Sequence, residues 1–240
     1  NIGRSIEVRS LAESQYHGLV LQAQKRWSGG FLFNANYTLS KATDNGQNST
    51  TFISGFMNVF DPANLALEDG TSNLDRRHRV VTSLHYAPPW LWGFQFGAIG
   101  TFESGLPVTG TISGGVVSAT GGTDTSTTNG TGGSNRVPFL ERNIDRQTGR
   151  KTIDARLSKS FKVGGGRQLQ LLWEVFNVTN STNYTVFSST KYRVASSTYD
   201  AATNRVTVNL TEDTGYLRPT QASSTLFGPR DMQVGLKFLW

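Results

Sequence analysis

The 240-residue chain lacks cysteine, which excludes disulfide bridges and thiol chemistry. It also lacks any long apolar segment, which excludes a transmembrane helix. The formal charge is +6, but Lys and Arg are scattered among acidic residues without a basic run. We therefore expect no nucleic acid among its partners. His17, His78 and His85 are its three histidines, and their spacing does not match a metal site, so we expect none.

Catalytic patterns are missing as well. Ser104 has no nucleophile-elbow context. The Gly-Gly-Gly-Arg sequence at 164–167 lacks the ending of a phosphate-binding loop, and it is typical of a turn. We therefore expect a protein that is not an enzyme and that binds no cofactor.

Two weaker possibilities remain open in the polar segments. His78 lies among Arg76, Arg77 and Arg79, a group that suits a loop-to-strand anchor, with a ligand-binding basic cluster as the alternative. Four loop aspartates are candidate calcium ligands, although no EF-hand spacing is present; they are Asp69, Asp75, Asp124 and Asp213.

What the chain does contain is 26 glycines and a repeated alternation of apolar and polar residues. The alternation is clear in the last ten residues, where it predicts a strand that runs to the chain end. Its apolar face comprises Met232, Val234, Leu236, Phe238 and Trp240.

Similar alternation predicts seven strands, at 17–27, 31–40, 77–87, 94–103, 152–162, 168–176 and 231–240. The connections alternate between short turns and long polar loops. The turns lie at 28–30, 88–93 and 164–166, and the loops at 42–76, 105–150 and 178–229. We expect a hairpin near 192–208, with Asn204 at its turn, and a mobile low-complexity stretch at 120–134.

Strands of about ten residues, joined by short turns at one end and long loops at the other, are typical of an outer-membrane barrel. We therefore predict an all-β fold. It is an antiparallel up-and-down meander of about seven transmembrane strands, part of an outer-membrane β-barrel. We interpret residues 1–240 as a single barrel segment, with periplasmic turns and extracellular loops.

In such a barrel the apolar face contacts lipid and the polar face lines the lumen. Lys25 and Lys159 are exceptions on the apolar face, and we expect each ammonium group to extend towards the headgroups beside a short turn. The predicted aromatic girdle at the short-turn end comprises Trp27, Phe31, Trp90, Trp92, Phe94 and Phe161. The predicted lumen-facing charges are Arg26, Arg79, Glu103, Asp154, Arg156, Glu174 and Lys237.

Several motifs resemble the late barrel strands of TonB-dependent outer-membrane receptors, in particular the Oar-like subgroup that often carries a carboxypeptidase-regulatory-like domain. Their order and spacing cover nearly the whole chain. The motifs are Tyr16-His17-Gly18-Leu19, Asn36-Tyr37-Thr38-Leu39-Ser40-Lys41, Asp75-Arg76-Arg77-His78-Arg79-Val80, Ser104-Gly105-Leu106-Pro107, Glu174-Val175-Phe176-Asn177-Val178-Thr179-Asn180, Phe227-Gly228-Pro229-Arg230 and Phe238-Leu239-Trp240.

The resemblance implies energised uptake of a substrate by a 22-stranded barrel with an internal plug. It implies several partners: membrane lipid and lipopolysaccharide, the barrel-assembly machinery and a TonB-type energy complex that acts through segments absent from these residues. Seven strands do not close such a barrel. We expect either missing N-terminal strands and a plug, or other copies of the chain, to complete it.

Two alternatives belong to other classes of protein. One is a stand-alone or self-assembling structural surface protein derived from such a barrel. The other is a soluble β-sandwich adhesin, whose apolar faces meet across a core. The alternation of short and long connections and the aromatic girdle disfavour the sandwich.

The terminal aromatic residue resembles the signal by which outer-membrane barrels are recognised for assembly. We therefore predict that Trp240→Asp, or deletion of 239–240, lowers the amount of protein inserted in the outer membrane. The measurement is the inserted fraction in purified outer membranes. Unchanged insertion would remove this interpretation.

Overall fold

The computed structural model of the protein describes residues 12–46, 60, 61, 63–124, 135–223 and 227–240. In chain order the strands are β1 (Ser14–Ser28), β2 (Phe31–Asp44), β3 (Gly70–Thr71), β4 (His78–Tyr86), β5 (Phe94–Glu103), β6 (Pro107–Val108), β7 (Thr111–Ser113), β8 (Val116–Val117), β9 (Thr123–Asp124), β10 (Asp145–Arg146), β11 (Arg150–Gly164), β12 (Arg167–Phe176), β13 (Tyr184–Phe187), β14 (Thr190–Asp200), β15 (Arg205–Glu212), β16 (Pro219–Ala222) and β17 (Asp231–Leu239).

Two short 3-10 helices, Leu65–Glu68 and Pro89–Leu91, complete the secondary structure of the described residues. No helix in this part of the chain is long and apolar enough to cross a membrane.

Seven strands form one antiparallel sheet in the order β1-β2-β4-β5-β11-β12-β17, with β3 paired to the end of β2. Each of the seven lies beside the member of the set that follows it in the sequence, so the sheet is an up-and-down meander. The seven predicted strands and their order are confirmed. Several run further than predicted: β1 starts at Ser14, β2 continues to Asp44, and β11 spans Arg150–Gly164. The extra residues keep the backbone paired beyond the apolar alternation, as where Thr43 pairs with Thr71.

The short turns join consecutive strands tightly. Gly29 and Gly30 have φ values of 61° and 77°, the left-handed conformation that a two-residue hairpin turn requires. A Cβ on Gly30 would lie 2.4 Å from the Cα of Pro88, in the next short turn. Glycine is therefore required at position 30 both by backbone conformation and by the close approach of the two turns.

The pairing register keeps apolar residues on one face across all seven strands. One row of cross-strand partners shows this, since paired residues in a ladder point to the same side of the sheet. The row starts at Lys25, the exception on β1, and continues to β17 through Phe33, Leu84, Ala98, Ala155, Val175 and Met232. We call this side of the sheet the apolar face and the opposite side the polar face.

Trp27 departs from the predicted alternation. A β-bulge between Lys25 and Ser28 shifts the register, because Lys25 pairs with Phe33 whereas Ser28 pairs with Phe31. The Trp27 ring then packs 5.3 Å from the ring of His85, on the polar face. The prediction that Trp27 shares the apolar face of β1 was therefore wrong, since a single extra residue moves its side chain across the sheet.

The apolar face of the sheet is exposed. Val234 is 78% exposed and Leu236 66% exposed, and their neighbours on the same face are similarly open. The buried apolar side chains of the described residues lie instead in the second long connection, and they are Val108, Ile112, Val116 and Val137. The packed core of the described chain is thus outside the seven-stranded sheet.

Residues 233 and 234 allow a matched test of the two faces. If the apolar face contacts lipid, Val234→Arg should destabilise the protein in bilayers by about 2–4 kcal/mol, with less effect near an interface. Gln233→Arg should cost much less, since residue 233 lies on the polar face beside Glu174. Urea-dependent folding into lipid vesicles measures both. Equal destabilisation by the two variants would contradict the assignment of the faces.

Candidate functional site on the polar face and in the loop layer

A carboxylate surrounded by arginines lies on the polar face at the long-loop end. Glu103 pairs in register with Arg79 on β4 and with Arg150 on β11. Its carboxylate lies 3.1 Å from Arg79 Nε and 2.8 Å from Arg150 Nη2. Arg76, in the connection before β4, adds a third contact at 3.3 Å. Three strands and one loop therefore converge on one acidic side chain that is only 10% exposed.

A second polar row crosses β11, β12 and β17. Arg156 Nη1 lies 3.7 Å from Glu174 Oε1, and the Gln233 amide donates to Glu174 Oε2 at 2.7 Å. Both contacts join residues that are partners in the ladder. Arg156 and Glu174 thus place opposite charges directly across β11 and β12, which favours this register over a slipped one.

The other predicted polar-face charges have different surroundings. Asp154 accepts a hydrogen bond from the backbone N–H of Asn177 at 2.8 Å, which ties β11 to the end of β12. Lys237 pairs with Gln170, and so lies on the same face as Glu174. Arg26 is exposed and lies within the bulge of β1. The structure therefore places Asp154 and Lys237 on the polar face without joining them to Glu103 in one network.

A cleft of about 770 Å³ opens on this side of the sheet. Val20, Thr38 and Arg79 line it from the strands, and Ser72 and Arg76 line it from the first long connection. Its volume is within the range of small-molecule sites. The Glu103 cluster therefore forms part of the wall of a cavity between the polar face and the loops.

The described residues of the long connections 45–77, 104–149 and 177–230, which we call the loop layer, are structured. Ten further strands and the Leu65–Glu68 helix lie in it. The prediction of three polar loops is thus correct in position but misses their internal structure. The predicted hairpin is present as β14 and β15, with Asn204 at its turn (φ 51°). Most of the predicted low-complexity stretch at 120–134 lies outside the described residues.

Buried ion pairs join the first loop to the second. Glu68 is 2% exposed and lies 3.2 Å from Arg136 Nη1, whose side chain is 5% exposed. Arg142 is fully buried, contacts the Asp44 carboxylate and donates from Nε to the carbonyl of Glu68 at 2.9 Å. The two loops are therefore held by charges that each need their partner, because an unpaired buried charge is costly.

Further contacts of the same kind extend this junction. Asp75 is 1% exposed, forms an ion pair with Arg146 and accepts a hydrogen bond from the Ala42 N–H at 2.6 Å. The Asn143 amide donates to the carbonyl of Thr71 at 2.6 Å. These side chains tie the second loop to the first loop and to the end of β2.

The third loop joins the second through β14, which pairs in parallel with β7. Asp145 accepts hydrogen bonds from Lys191 and from the Tyr216 hydroxyl, both at 2.8 Å. Partial burial raises the pKa of Asp145, but these hydrogen bonds and the Lys191 charge outweigh it, so the net pKa is lowered. A lowered pKa means that the contact stabilises the fold above the ordinary aspartate pKa and weakens as the pH falls through the lowered one.

Aromatic side chains line the short-turn end of the apolar face. The Phe31 ring lies 6.3 Å from Tyr86, which lies 6.4 Å from Trp90, and both contacts are edge-on. Trp92 is 83% exposed in its turn. Phe94 and Phe161 flank Lys159, whose ammonium group lies 4.3 Å and 5.7 Å from their ring centroids.

The two lysines of the apolar face extend towards the short turns, in the direction that the sequence predicts. Lys25 Nζ donates to the carbonyl of Ser28 at 3.1 Å. Lys159 Nζ donates to the carbonyl of Trp92. Each ammonium group is thus satisfied by a turn carbonyl rather than left on the apolar surface.

Two of the candidate calcium ligands have other partners. Asp75 contacts Arg146, and Asp213 forms an ion pair with Arg193. In the part of the chain that the structure describes, no group of three or more His, Asp or Glu side chains is arranged to hold a metal ion.

The sequence interpretation missed most of the residues that join the loops. Glu68, Arg136 and Arg142 are separated by up to 74 positions and show no local motif. Arg76 was recognised only as part of a basic cluster around His78. His78 itself contacts the Tyr37 hydroxyl through Nδ1 at 2.9 Å, which agrees with an anchoring role.

Removing one partner of the buried loop pair should loosen the loops without unfolding the sheet. Glu68→Ala removes the buried carboxylate that contacts Arg136 Nη1, which we expect to destabilise the loop layer by about 3–5 kcal/mol. The measurement is the rate of limited proteolysis in the loops, with heat-modifiable gel mobility reporting on the sheet. Glu141→Ala is the control, because Glu141 is exposed in the same layer. Equal proteolysis of the two variants would contradict this account.

Comparison with known proteins assigns the family. A family model described as "Outer membrane beta barrel domain" matches residues 1–233. No curated protein matches the chain. The match covers nearly all of the seven-stranded antiparallel sheet, including its apolar face. The chain therefore belongs to the outer membrane beta barrel domain family and is an all-β component of the outer membrane.

Proposed function

We propose that these residues form the C-terminal barrel strands of a TonB-dependent outer-membrane receptor of the Oar-like subgroup, which takes up a substrate with energy from the inner membrane. One observation carries this proposal. A polar face with paired charges borders a cleft of about 770 Å³ that residues of the first long loop also line, and an ion pair and strand pairing join the three long loops to one another. A receptor that captures a solute and passes it through a barrel needs loops that bind the solute next to a polar surface that lines the passage.

The orientation follows from the same proposal. The loop layer faces the outside of the cell, where it selects the substrate, and the short turns face the periplasm. The apolar face contacts membrane lipid, and the loop ends of the strands contact lipopolysaccharide. Chemistry on the substrate is not part of this function, so we expect no catalytic residue.

Closure of the barrel needs more strands than the seven of this sheet. Among the described residues, β1 and β17 each pair with one neighbour in the sheet, so the outer backbone edge of each has no partner strand in this part of the chain. Unpaired backbone groups in hydrocarbon cost several kcal/mol each, so open edges are not tolerated in lipid. We propose that further barrel strands pair with both edges and that a plug domain fills the lumen.

The same open edges favour the alternative, a self-assembling surface protein in which copies of this chain pair edge to edge. Single cysteines on β1 and β17 separate the two, because the chain has no native cysteine. Intermolecular Leu21→Cys to Leu236→Cys cross-links would support self-assembly. Their absence, in protein that is inserted in the membrane, supports closure by other strands.

Energised uptake predicts a specific pattern of solute loss. Cells that carry the gene should deplete at least one solute from a defined complex medium, as measured by mass spectrometry. Deletion of the gene, or of the TonB-type energy-transducing protein, should abolish that depletion. Depletion that needs this gene but persists without the energy-transducing protein would overturn energised uptake and leave passive diffusion.

A further inference from the structure

A groove of about 580 Å³ lies within the loop layer, separate from the cleft at the polar face. One wall is formed by β8 and by Phe139, from the second loop. The other wall is formed by the β14–β15 hairpin, from the third loop, through Val206 and Val208. Its volume is within the range of pockets that bind small molecules.

The groove has a buried floor and an open rim. Ile112 and Val116 are 7% and 5% exposed and belong to the core of the loop layer. Phe139, Val206 and Val208 are 62%, 41% and 36% exposed around the opening. Apolar side chains at the rim thus remain accessible to a ligand, while the floor is held in place by packing.

The charge of the lining sets the charge of the ligand. All the described residues that line the groove are uncharged, in a loop layer that is otherwise joined by ion pairs. A charged ligand would lose its hydration here without gaining a counter-ion, which is costly. The uncharged lining therefore favours a neutral ligand.

A polar group lies at the hairpin end of the groove. Asn204 Oδ1 accepts a hydrogen bond from the Tyr199 hydroxyl at 2.9 Å. This contact restrains the Asn204 side chain, and both residues line the groove. The Asn204 amide N–H groups are then available to a hydroxyl or carbonyl oxygen of a ligand that enters the groove.

We propose that this groove binds a neutral small molecule with an aromatic or aliphatic body and a hydroxyl or carbonyl group at one end. Its role as the site of substrate capture rests on the proposed uptake function. Binding itself does not depend on transport and is tested on the purified protein.

The test uses three probes of similar shape and different charge. Saturation-transfer NMR measures binding of benzyl alcohol, benzoate and benzylammonium to the purified outer-membrane protein. We expect saturation transfer to benzyl alcohol and much weaker transfer to the two ions. Equal transfer to all three probes, or none to benzyl alcohol, would overturn the proposal.

Matched substitutions on β15 locate the site. Val208→Asp places a carboxylate in the wall and should weaken benzyl alcohol binding by about tenfold or more, because the charge resists desolvation. Thr207→Asp adds the same charge to the neighbouring residue, which does not line the groove, and should leave binding unchanged. Phe139→Ala removes a largely exposed ring and tests the opposite wall without adding charge. Equal binding by the Val208 and Thr207 variants would refute the assignment.

The two proposals fail in different ways. If solute depletion does not need the energy-transducing protein, but the Val208 and Thr207 variants still differ in benzyl alcohol binding, the groove is supported and energised uptake is wrong. If depletion is energised but the variants bind alike, uptake is supported and the groove is not its capture site.

Discussion

The structure depends on one constraint, which is that the cross-strand register keeps a single face apolar over seven strands. A shift of one residue in any pair would move the whole apolar set of that strand to the other side. Two features oppose such a shift. The tight turns fix the starting point of each hairpin, and Arg79, Glu103 and Arg150 align three strands through opposite charges in ladder positions. The charge pairs on the polar face thus help to set the register that keeps the apolar residues on the other face.

The loops are held together by different interactions from those of the sheet. They carry much polar backbone and little apolar surface, yet they form the packed core of the described residues. The buried ion pairs Glu68–Arg136 and Arg142–Asp44 join the second loop to the first loop and to the end of β2. Buried pairs of this kind are weak evidence for high stability, but each is strongly selective for its partner. These contacts hold the described parts of the three loops together, as the proposed capture of a solute requires.

The sequence predicts the sheet well because its signals are local. Period-two alternation, glycine-rich turns and the contrast between short and long connections each span a few residues, and together they give the strand order and the two faces. Trp27 shows where local reasoning fails. Its alternation continues from Leu21 without a break, and only the pairing of Lys25 with Phe33 and Ser28 with Phe31 reveals the bulge. The loop contacts lie beyond such reasoning, since Glu68 finds Arg136 across 68 positions of polar sequence.

The central claim is that the apolar face contacts lipid while the polar face borders a water-accessible lumen. Site-directed spin labelling along β17 tests it most directly, because a chain without cysteine accepts one label at a time. In lipid vesicles, labels at 232, 234, 236 and 238 should collide with dissolved oxygen, and labels at 233, 235 and 237 with a water-soluble nickel complex. This alternation with period two is the predicted result. Equal accessibility of successive residues to both reagents would contradict the account.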